Sequence, residues 1–443
     1  MIGTDQKYRR LADLYDILVD DAVGIVHQIK EIPRAPGGPD FFHFSGNACD
    51  TSAFTREPNF RNTGGASIHR ETAVAKALGE AVERYCSAIY DVDELVASSY
   101  KDADFSCVAP QEFALHSADQ CAVPGFPWVP FNEDTPVRWV PGLELVSGEV
   151  IHVPAAFVYV PYIYYQGTGD APIAQPISTG LACHCSLAEA AYGGICEVVE
   201  RDSFTLMWQA MLGMPQLRIE TLSDTNYDIV SRFEKTGDKI TIFNITTDAG
   251  VPCFLSVLSN SHPDAPALVF AASADLNPEV AVLKSLEELG HTRRYSQQVK
   301  EVMKPVVIEE GHENIVSQAD HLNFWADQAN AHLAEFIFSS RERQDFDELE
   351  NLSTGDARKD VELLVNMIGA LGHKVIVSRL TTPDVAELGL EVVRAIVPGF
   401  NPLYMGHRIR ALRSERLWNT PQKLGYAGVN TQVGDNPWPH PYP

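Results

Sequence analysis

One helical pattern occurs three times in the 443-residue chain and constrains its fold more than any other feature. In each copy the key residues stand at offsets of 0, 4, 5, 7, 10 and 11 positions. The copies are Ala73, Ala77, Leu78, Glu80, Glu83 and Arg84; Ala190, Gly194, Ile195, Glu197, Glu200 and Arg201; and Ala281, Ser285, Leu286, Glu288, His291 and Thr292. Small residues four positions apart lie one above the other on a helix and permit close packing. We therefore expect three similarly built helices.

The first two copies each carry two glutamates three positions apart, which project from one stripe of a helix. If both helices face one cleft, four carboxylates meet there and raise one another's pKa unless a cation neutralises them. Oxygen ligands suit Mg²⁺, which commonly accompanies a nucleoside triphosphate, and the adjacent Arg84 and Arg201 could hold phosphates. A single Glu-x-x-Glu-Arg string is more often a solvated helix face with local ion pairs. Because the string occurs twice within the repeat, we favour a binding site for Mg²⁺ and a nucleotide.

Composition narrows the class of protein. Lys and Arg number 34 against 59 Asp and Glu, a net charge of −25, which argues against nucleic acid as a partner. With 45% hydrophobic and 21% charged residues, the chain is typical of a globular protein. The start has no signal-peptide pattern, no segment approaches the ~20 apolar residues of a membrane span, and eight cysteines form no framework. We expect a cytoplasmic protein with free thiols and no membrane partner.

Strand and helix patterns alternate along the chain, which predicts an α/β fold. Helices are predicted over 71–90, 186–211, 278–300, 314–338 and 356–371, and strands over 157–159, 239–245, 254–257 and 374–377. Residues 1 to about 32 are also predicted to be helical, followed by a Pro- and Gly-rich breaker. We expect an N-terminal helical extension over 1–40, one catalytic domain over 41–417 and a Pro-rich tail over 418–443.

The common nucleotide-binding signatures are absent from the sequence. There is no Gly-Lys dipeptide and hence no Walker A loop, and neither the dinucleotide-binding glycine fingerprint nor the protein-kinase motifs occur. A nucleotide bound by this chain must therefore occupy a different kind of binding site.

Several strings together resemble the YcaO family, whose members bind ATP and Mg²⁺ through carboxylates on repeated helices. They are Glu80-x-x-Glu83-Arg84, the run from Ser178 to His184, Glu189, and Glu197-x-x-Glu200-Arg201-Asp202. The segments 397–404 and 436–443 resemble the azoline-forming subgroup. The resemblance implies a YcaO-type fold, with repeated helix-plus-strand units around a central ATP cleft.

The resemblance also implies roles for individual residues. It assigns ATP to Lys76, Arg84, Ser178, His184, Glu197, Arg201 and Arg293, and Mg²⁺ to Glu80, Glu83, Glu189 and Glu200. Lys76 stands where many members have Ser, one turn before Glu80. Its ammonium could lie near the phosphates, or it could form a plain i, i+4 pair with Glu80. Both interpretations stay open.

The activity that the resemblance implies is ATP- and Mg²⁺-dependent cyclodehydration. Cys, Ser or Thr of a ribosomally made precursor peptide would become thiazoline or oxazoline after phosphorylation of the backbone amide oxygen, as in thiazole/oxazole-modified microcin antibiotics. The alternatives are another backbone-activating reaction, such as thioamide or amidine formation, and a non-catalytic scaffold that binds a peptide or a partner. No zinc-ribbon or E1-like segment is evident, so the resemblance implies a complex with an E1-like, leader-peptide-binding protein and a flavin dehydrogenase. It leaves a homodimer open.

The tail has prolines at 437, 439, 441 and 443, a spacing that favours the stiff polyproline II conformation. Such a tail can carry its terminal carboxylate into a cleft, and the resemblance makes Pro443 a candidate catalytic residue. His440 could act as an acid or base, or it could be a packing residue. Without the resemblance, an exposed flexible end or a ligand for a proline-binding partner would be the simpler interpretation.

Overall fold

The computed structural model describes residues 3–35, 37–165, 167–429 and 434–442. The helices are α1 Gly3–Ala12, α2 Tyr15–Leu18, α3 Arg70–Cys86, α4 Ala118–Ala122, α5 Leu187–Gln209, α6 Asp224–Glu234, α7 Pro278–Val302, α8 Gln318–Ala326, α9 Ala357–Ala370, α10 Pro383–Glu387 and α11 Glu415–Lys423. The strands are β1 Val26–Ile32, β2 Phe42–Ala48, β3 Asn62–Ser67, β4 Val96–Ser98, β5 Val137–Glu144, β6 Val150–Pro154, β7 Leu181–His184, β8 Gln216–Leu217, β9 Lys239–Asn244, β10 Cys253–Ser259, β11 Leu268–Ala274, β12 Arg343–Gln344, β13 Ile376–Arg379 and β14 Glu391–Ile396. The predicted α/β class is confirmed.

Three sheets organise these strands. Their orders are β1-β2-β3, then β4-β5-β13-β14-β7 with β6 on β5, and β11-β10-β9-β8-β12. One edge of each sheet is the strand that directly precedes a repeat helix: β3 leads into α3, β7 into α5 and β11 into α7. The sequence repeat is therefore a repeat of strand-plus-helix units.

The three units contact one another in a cycle. Helix α3 lies on its own sheet and also contacts β7, α5 contacts β11, and α7 contacts β3. Each helix is thus held between its own strand and the strand of the next unit. Residues at equivalent offsets of the three helices consequently face a shared centre.

Small residues permit this close packing, as the sequence predicts. A Cβ atom on Gly65 of β3 would lie 2.2 Å from the carbonyl oxygen of Ala73, and one on Gly194 of α5 would lie 2.6 Å from that of Gly180. Ala73 and Ala281, the first members of two copies, are fully buried. Larger side chains would push the helices away from the strands.

Some predicted elements are wrong. Helical structure near the N-terminus ends at Leu18, and Val26–Ile32 is a strand paired antiparallel with Phe42–Ala48. Pairing with a neighbouring strand outweighs the local helical pattern. The predicted strand over 157–159 only overlaps a 3-10 turn at Ala155–Phe157, and the helix predicted over 314–338 becomes α8 followed by the 3-10 helix Gln328–Phe338. Helix α11 spans residues 417 and 418, and the expected domain bounds stay predictions.

Helix α5 is the most deeply packed of the repeat helices. Phe204, Met207 and Trp208 are at most 2% exposed and belong to the hydrophobic core. Within the described ranges, no helix is both long and apolar enough to cross a membrane.

Candidate active site

The first glutamate of each acidic pair is held in the same way in two units. Glu80 accepts a hydrogen bond from the backbone N–H of Gly64 at 2.8 Å, and Glu197 accepts one from the N–H of Gly180 at 3.0 Å. The second carboxylate oxygen of each glutamate meets an arginine one turn later, at 3.2 Å for Arg84 and 3.3 Å for Arg201. The repeat therefore reproduces a local geometry as well as a residue pattern.

The second glutamate of each pair faces the next unit. Glu83 accepts a hydrogen bond from the backbone N–H of Cys183 in β7 at 2.8 Å. Glu200 accepts one from the hydroxyl of Tyr442, whose oxygen also lies 3.3 Å from the carbonyl oxygen of Ala272 in β11. In the third unit the equivalent residue, His291, lies against Gly64 of β3.

The acidic residues of the three helices influence one another's protonation. We call this set the acidic cluster, and its members are Glu80, Glu83, Glu197, Glu200 and Glu288. Burial, reinforced by the charges of Glu197 and Glu80, raises the pKa of Glu83 to about 8, although the Cys183 N–H opposes the shift. Burial also raises the pKa of Glu200 to about 7, with Arg201 opposing the shift and Glu197 and Glu288 adding to it. Carboxylates from α3, α5 and α7 therefore sense one another, as expected of acids around a common centre.

The chemistry of this donor set suits Mg²⁺ bound together with a nucleoside triphosphate, whose phosphates would supply further oxygens, since no three His, Cys, Asp or Glu side chains of the described residues are placed to hold a metal ion by themselves. Crowded carboxylates with raised pKa values are stabilised by a cation that replaces their protons, and magnesium prefers oxygen ligands. Glu80, Glu83 and Glu200 supply such oxygens, while Arg84 and Arg201 stand beside them with guanidinium groups suited to phosphate.

Lys76 does not pair with Glu80. Its ammonium lies 2.6 Å from Oε2 of Glu287 on α7 and 3.2 Å from the carbonyl oxygen of Ala66. The other oxygen of Glu287 accepts a hydrogen bond from the hydroxyl of Ser67. The simple i, i+4 interpretation is therefore wrong, because packing of α7 against β3 brings a second acid closer to Lys76. The proximity of Lys76 to phosphates stays a prediction.

His184, Glu189 and Ser178 lie near the start of α5. The Nδ1 atom of His184 is 3.2 Å from Glu189 Oε2, and Ser186 Oγ donates to the same oxygen at 2.9 Å. Ser178 lies in the turn before β7, where its carbonyl accepts from Leu181 N at 2.9 Å. Glu189 precedes Glu197 by about two turns of the same helix. The predicted roles of these three residues stay predictions.

Arg293 does not join the acids. Its Nε atom lies 2.6 Å from Asp238 Oδ2, and both side chains are buried. Arg293 follows His291 by two positions, which turns it by about 200° around α7, away from the cluster. This placement does not support the prediction that Arg293 binds ATP.

The tail is buried, which is contrary to an exposed flexible end. Indole N–H groups of Trp208 and Trp325 donate to the carbonyls of Trp438 and Pro439 at 3.2 and 3.0 Å. The His321 ring contacts the carbonyl of His440 at 2.6 Å. The extended backbone of the tail is thus fixed by side chains that satisfy its carbonyl groups.

Both ring nitrogens of His440 have hydrogen-bond partners. Its Nε2 bonds to the carbonyl of Tyr404, and its Nδ1 accepts from the backbone N–H of Tyr442 at 3.1 Å. Burial, together with the nearby His321, lowers the pKa of His440 well below the usual value. A neutral imidazole with both nitrogens occupied orients the tail, so the geometry favours its packing role over acid–base catalysis. Pro443 lies outside the described residues, and its predicted role stays a prediction.

Tyr442 brings the tail to the acids. Its hydroxyl bonds to Glu200, and the guanidinium of Arg201 lies 4.3 Å from the centre of its ring. The tail therefore ends against the second acidic pair, and Tyr442 is a site residue that the sequence analysis did not select.

Two further residues were missed. Glu288 stands at the position of the third copy equivalent to Glu80 and Glu197, and its charge acts on Glu200; the repeat itself was the signal. Arg394 lies in β14 near Glu197 and Arg84. A single charge inside the apolar run 392–396 was the signal for Arg394.

A family model described as "YcaO cyclodehydratase, ATP- and Mg²⁺-binding" matches residues 64–401, more than half of the chain. The chain therefore belongs to the YcaO family of ATP-dependent cyclodehydratases, which bind ATP and Mg²⁺. It is also similar to an uncharacterized protein of Methanothermobacter thermautotrophicus, with 27% identity over 358 residues that cover 78% of this chain and 85% of the relative.

Solved structures share the fold. A heterocyclase in complex with substrate and cofactor has a TM-score of 0.78 at 21% identity and covers 98% of this chain, which spans only 57% of the heterocyclase chain. YcaO from Methanopyrus kandleri, bound with AMPPCP and Mg²⁺, has a TM-score of 0.63 at 18% identity, covering 90% of this chain and 91% of its own. The E. coli microcin synthetase McbBCD complex has a TM-score of 0.61 at 15% identity, covering 93% and 96%. The fold expected from the sequence is confirmed.

Proposed function

We propose that the protein is the azoline-forming cyclodehydratase of a peptide-modifying complex. The observation that carries the proposal is the meeting of two acidic helix pairs with the buried Pro-rich tail, through the hydrogen bond between Tyr442 and Glu200. The tail segment resembles the azoline-forming subgroup. Its burial against the acids supports a role of the tail at the proposed active site.

The proposed reaction removes water from the peptide at the expense of ATP. The sulfur or oxygen of Cys, Ser or Thr adds to the preceding carbonyl carbon and loses its proton, and the carbonyl oxygen takes the terminal phosphoryl group of ATP, leaving ADP. The carbon–oxygen bond then breaks, phosphate departs, and the amide nitrogen loses its proton to give the C=N bond. Phosphorylation converts a poor leaving group into a good one, so catalysis rests on positioning and charge neutralisation.

The residues divide this work. Glu80, Glu83 and Glu200 would hold Mg²⁺, and Arg84 and Arg201 would neutralise phosphate charge. Backbone N–H groups keep Glu80 and Glu83 oriented, so these acids need little rearrangement on binding.

The proposed partners follow from the fold relatives. One is a heterocyclase in complex with substrate and cofactor, and another is a complex seen with pro-MccB17 bound. We propose a precursor peptide as substrate, an E1-like protein that binds its leader, and a flavin dehydrogenase that oxidises the rings. The chain alone would then turn over slowly, and adding the E1-like protein would accelerate it; equal rates with and without that protein would contradict the dependence.

Two measurements test the proposal. Calorimetry should show ATP binding that requires Mg²⁺, whereas a scaffold would bind no nucleotide. Mass spectrometry of peptide treated with the complex should show a loss of ~18 Da per ring, the mass of water released through the phosphoryl-transfer route. Exchange of oxygen for sulfur would instead indicate thioamide formation.

Substitutions test whether Glu83 and Glu200 belong to the active site. E83Q and E200Q should each abolish ATP turnover while the far-ultraviolet circular dichroism stays unchanged, because glutamine keeps the shape of glutamate but cannot form the carboxylate that would bind Mg²⁺. E234Q, at the exposed end of α6, is the matched control. Turnover at the wild-type rate in both site variants would remove these residues from the active site.

A further inference from the structure

Arg394 is a charged residue on an apolar face. It lies in β14, paired with Ser378 of β13 and Leu181 of β7. Val392 and Ile396, two positions away on either side, point to the same face of the sheet and are buried in a hydrophobic cluster. Arg394 itself is 4% exposed. A guanidinium is costly to bury in such surroundings unless an anion accompanies it.

No anion within the described chain does so. The Nε and Nη1 atoms of Arg394 are buried without a hydrogen-bond partner among the described residues. Burial lowers its pKa to about 10; the charge of Glu197 opposes that shift and the charge of Arg84 adds to it. Arg84 and Arg201, by contrast, each contact the glutamate on their own helix. Arg394 thus lies beside the acidic cluster with donor groups still available.

On its other side Arg394 borders a cavity. The cavity has a volume of about 100 Å³, and Phe113, Phe157, Phe400 and Leu403 contribute to its largely apolar wall. Arg394 is part of this wall. It therefore lies where the acidic cluster adjoins an apolar space large enough for a small side chain.

We propose that Arg394 binds the terminal phosphate of ATP, at the junction between the nucleotide and the peptide. The inference rests on the proposed function, because it takes the acids as the Mg²⁺–nucleotide site. The phosphoryl group that is transferred must lie between its donor and its acceptor, and Arg394 borders both the acids and the cavity. The planar guanidinium offers paired N–H donors that match two phosphate oxygens.

The test compares ATP with ADP. Calorimetry with the full chain and Mg²⁺ should show that R394Q weakens ATP binding by about tenfold or more, as expected on losing a charge-assisted contact, and changes ADP binding little. R379Q is the control, since Arg379 lies on the neighbouring strand with a half-exposed side chain that pairs with Glu391. R394K, which keeps the charge but loses the planar fork, should fall between R394Q and the wild type.

Thermal unfolding without nucleotide separates binding from structure. An arginine kept for a ligand should be replaceable at no loss of stability, so R394Q should unfold at the same temperature as the wild type or higher. Unchanged ATP affinity, equal losses for ATP and ADP, or failure of both R394Q and R394K to fold would overturn the proposal. If wild type itself binds no Mg²⁺–ATP, the proposed function fails instead.

Discussion

At the scale of single residues, the site is a set of acids held in place by main-chain donors. Gly64, Gly180 and Cys183 each offer an N–H group to one glutamate. These bonds hold the carboxylates in a site where burial, reinforced by the charges of neighbouring glutamates, raises the pKa of Glu83 and Glu200. The raised pKa values favour the protonated acids, and Mg²⁺ would bind by replacing these protons.

The raised pKa of Glu83 predicts a stability that depends on pH. Its value shifts from 4.5 to about 8, so the folded state binds the extra proton between these values. The stabilisation is complete below 4.5 and is lost as the pH rises through 8. Without Mg²⁺, E83Q should match the wild type in melting temperature at pH 5 and exceed it at pH 8.5. A constant difference at all pH values, with E234Q as control, would contradict the shift.

Tyr442 predicts a second effect of pH. Its hydroxyl stabilises the charged form of Glu200, so Y442F should raise the pKa of Glu200 further. Affinity for Mg²⁺–ATP at pH 7 should fall by about tenfold, the value of a hydrogen bond to a charged group. Because a higher pH restores the charge, the deficit should shrink at pH 8.5. A deficit that is independent of pH would indicate a packing effect only.

At the scale of elements, contacts between consecutive units hold the helices in register. The pair Lys76–Glu287 joins α3 to α7, and the Glu287 side chain is only 6% exposed. The tail adds to the contact between α5 and β11, because the Tyr442 hydroxyl donates to Glu200 of α5 and also contacts the carbonyl oxygen of Ala272 in β11. The ends of elements that are distant in sequence therefore meet at the acids.

The Lys76–Glu287 pair predicts a coupled loss of stability. K76M leaves a buried carboxylate without its partner and should cost about 3 kcal/mol of unfolding free energy in urea denaturation. The double variant K76M/E287M removes both charges and should recover much of that loss. If the two single losses simply add in the double variant, the pair does not couple α3 to α7.

At the scale of the whole molecule, the three strand-plus-helix units form a closed cycle around the acids. No unit can separate without exposing the faces of the other two, so we expect the units to unfold together. The net charge of −25 adds repulsion throughout, which a bound cation partly offsets.

This architecture predicts one unfolding transition that responds to ligand as a unit. Calorimetric scanning should show Mg²⁺–ATP raising the whole transition, by about 2.7 kcal/mol when ligand is present at a hundred times its Kd. ATP with EDTA should produce no such rise. Two transitions, of which only one moves, would show that the cycle does not unfold cooperatively.

The sequence by itself determined the three helices, the small residues that let them pack, and the acids Glu80, Glu83, Glu197 and Glu200, because helical spacing and a repeat are local properties. Only the tertiary structure decided that Val26–Ile32 is a strand, that Lys76 pairs with Glu287, that Arg293 is taken by Asp238, and that Arg394 and Tyr442 lie at the site. The physical reason is that these contacts join residues that are far apart in the sequence. Other helices and strands bring the partners together, and a local sequence pattern does not specify which distant donor or charge will lie nearest.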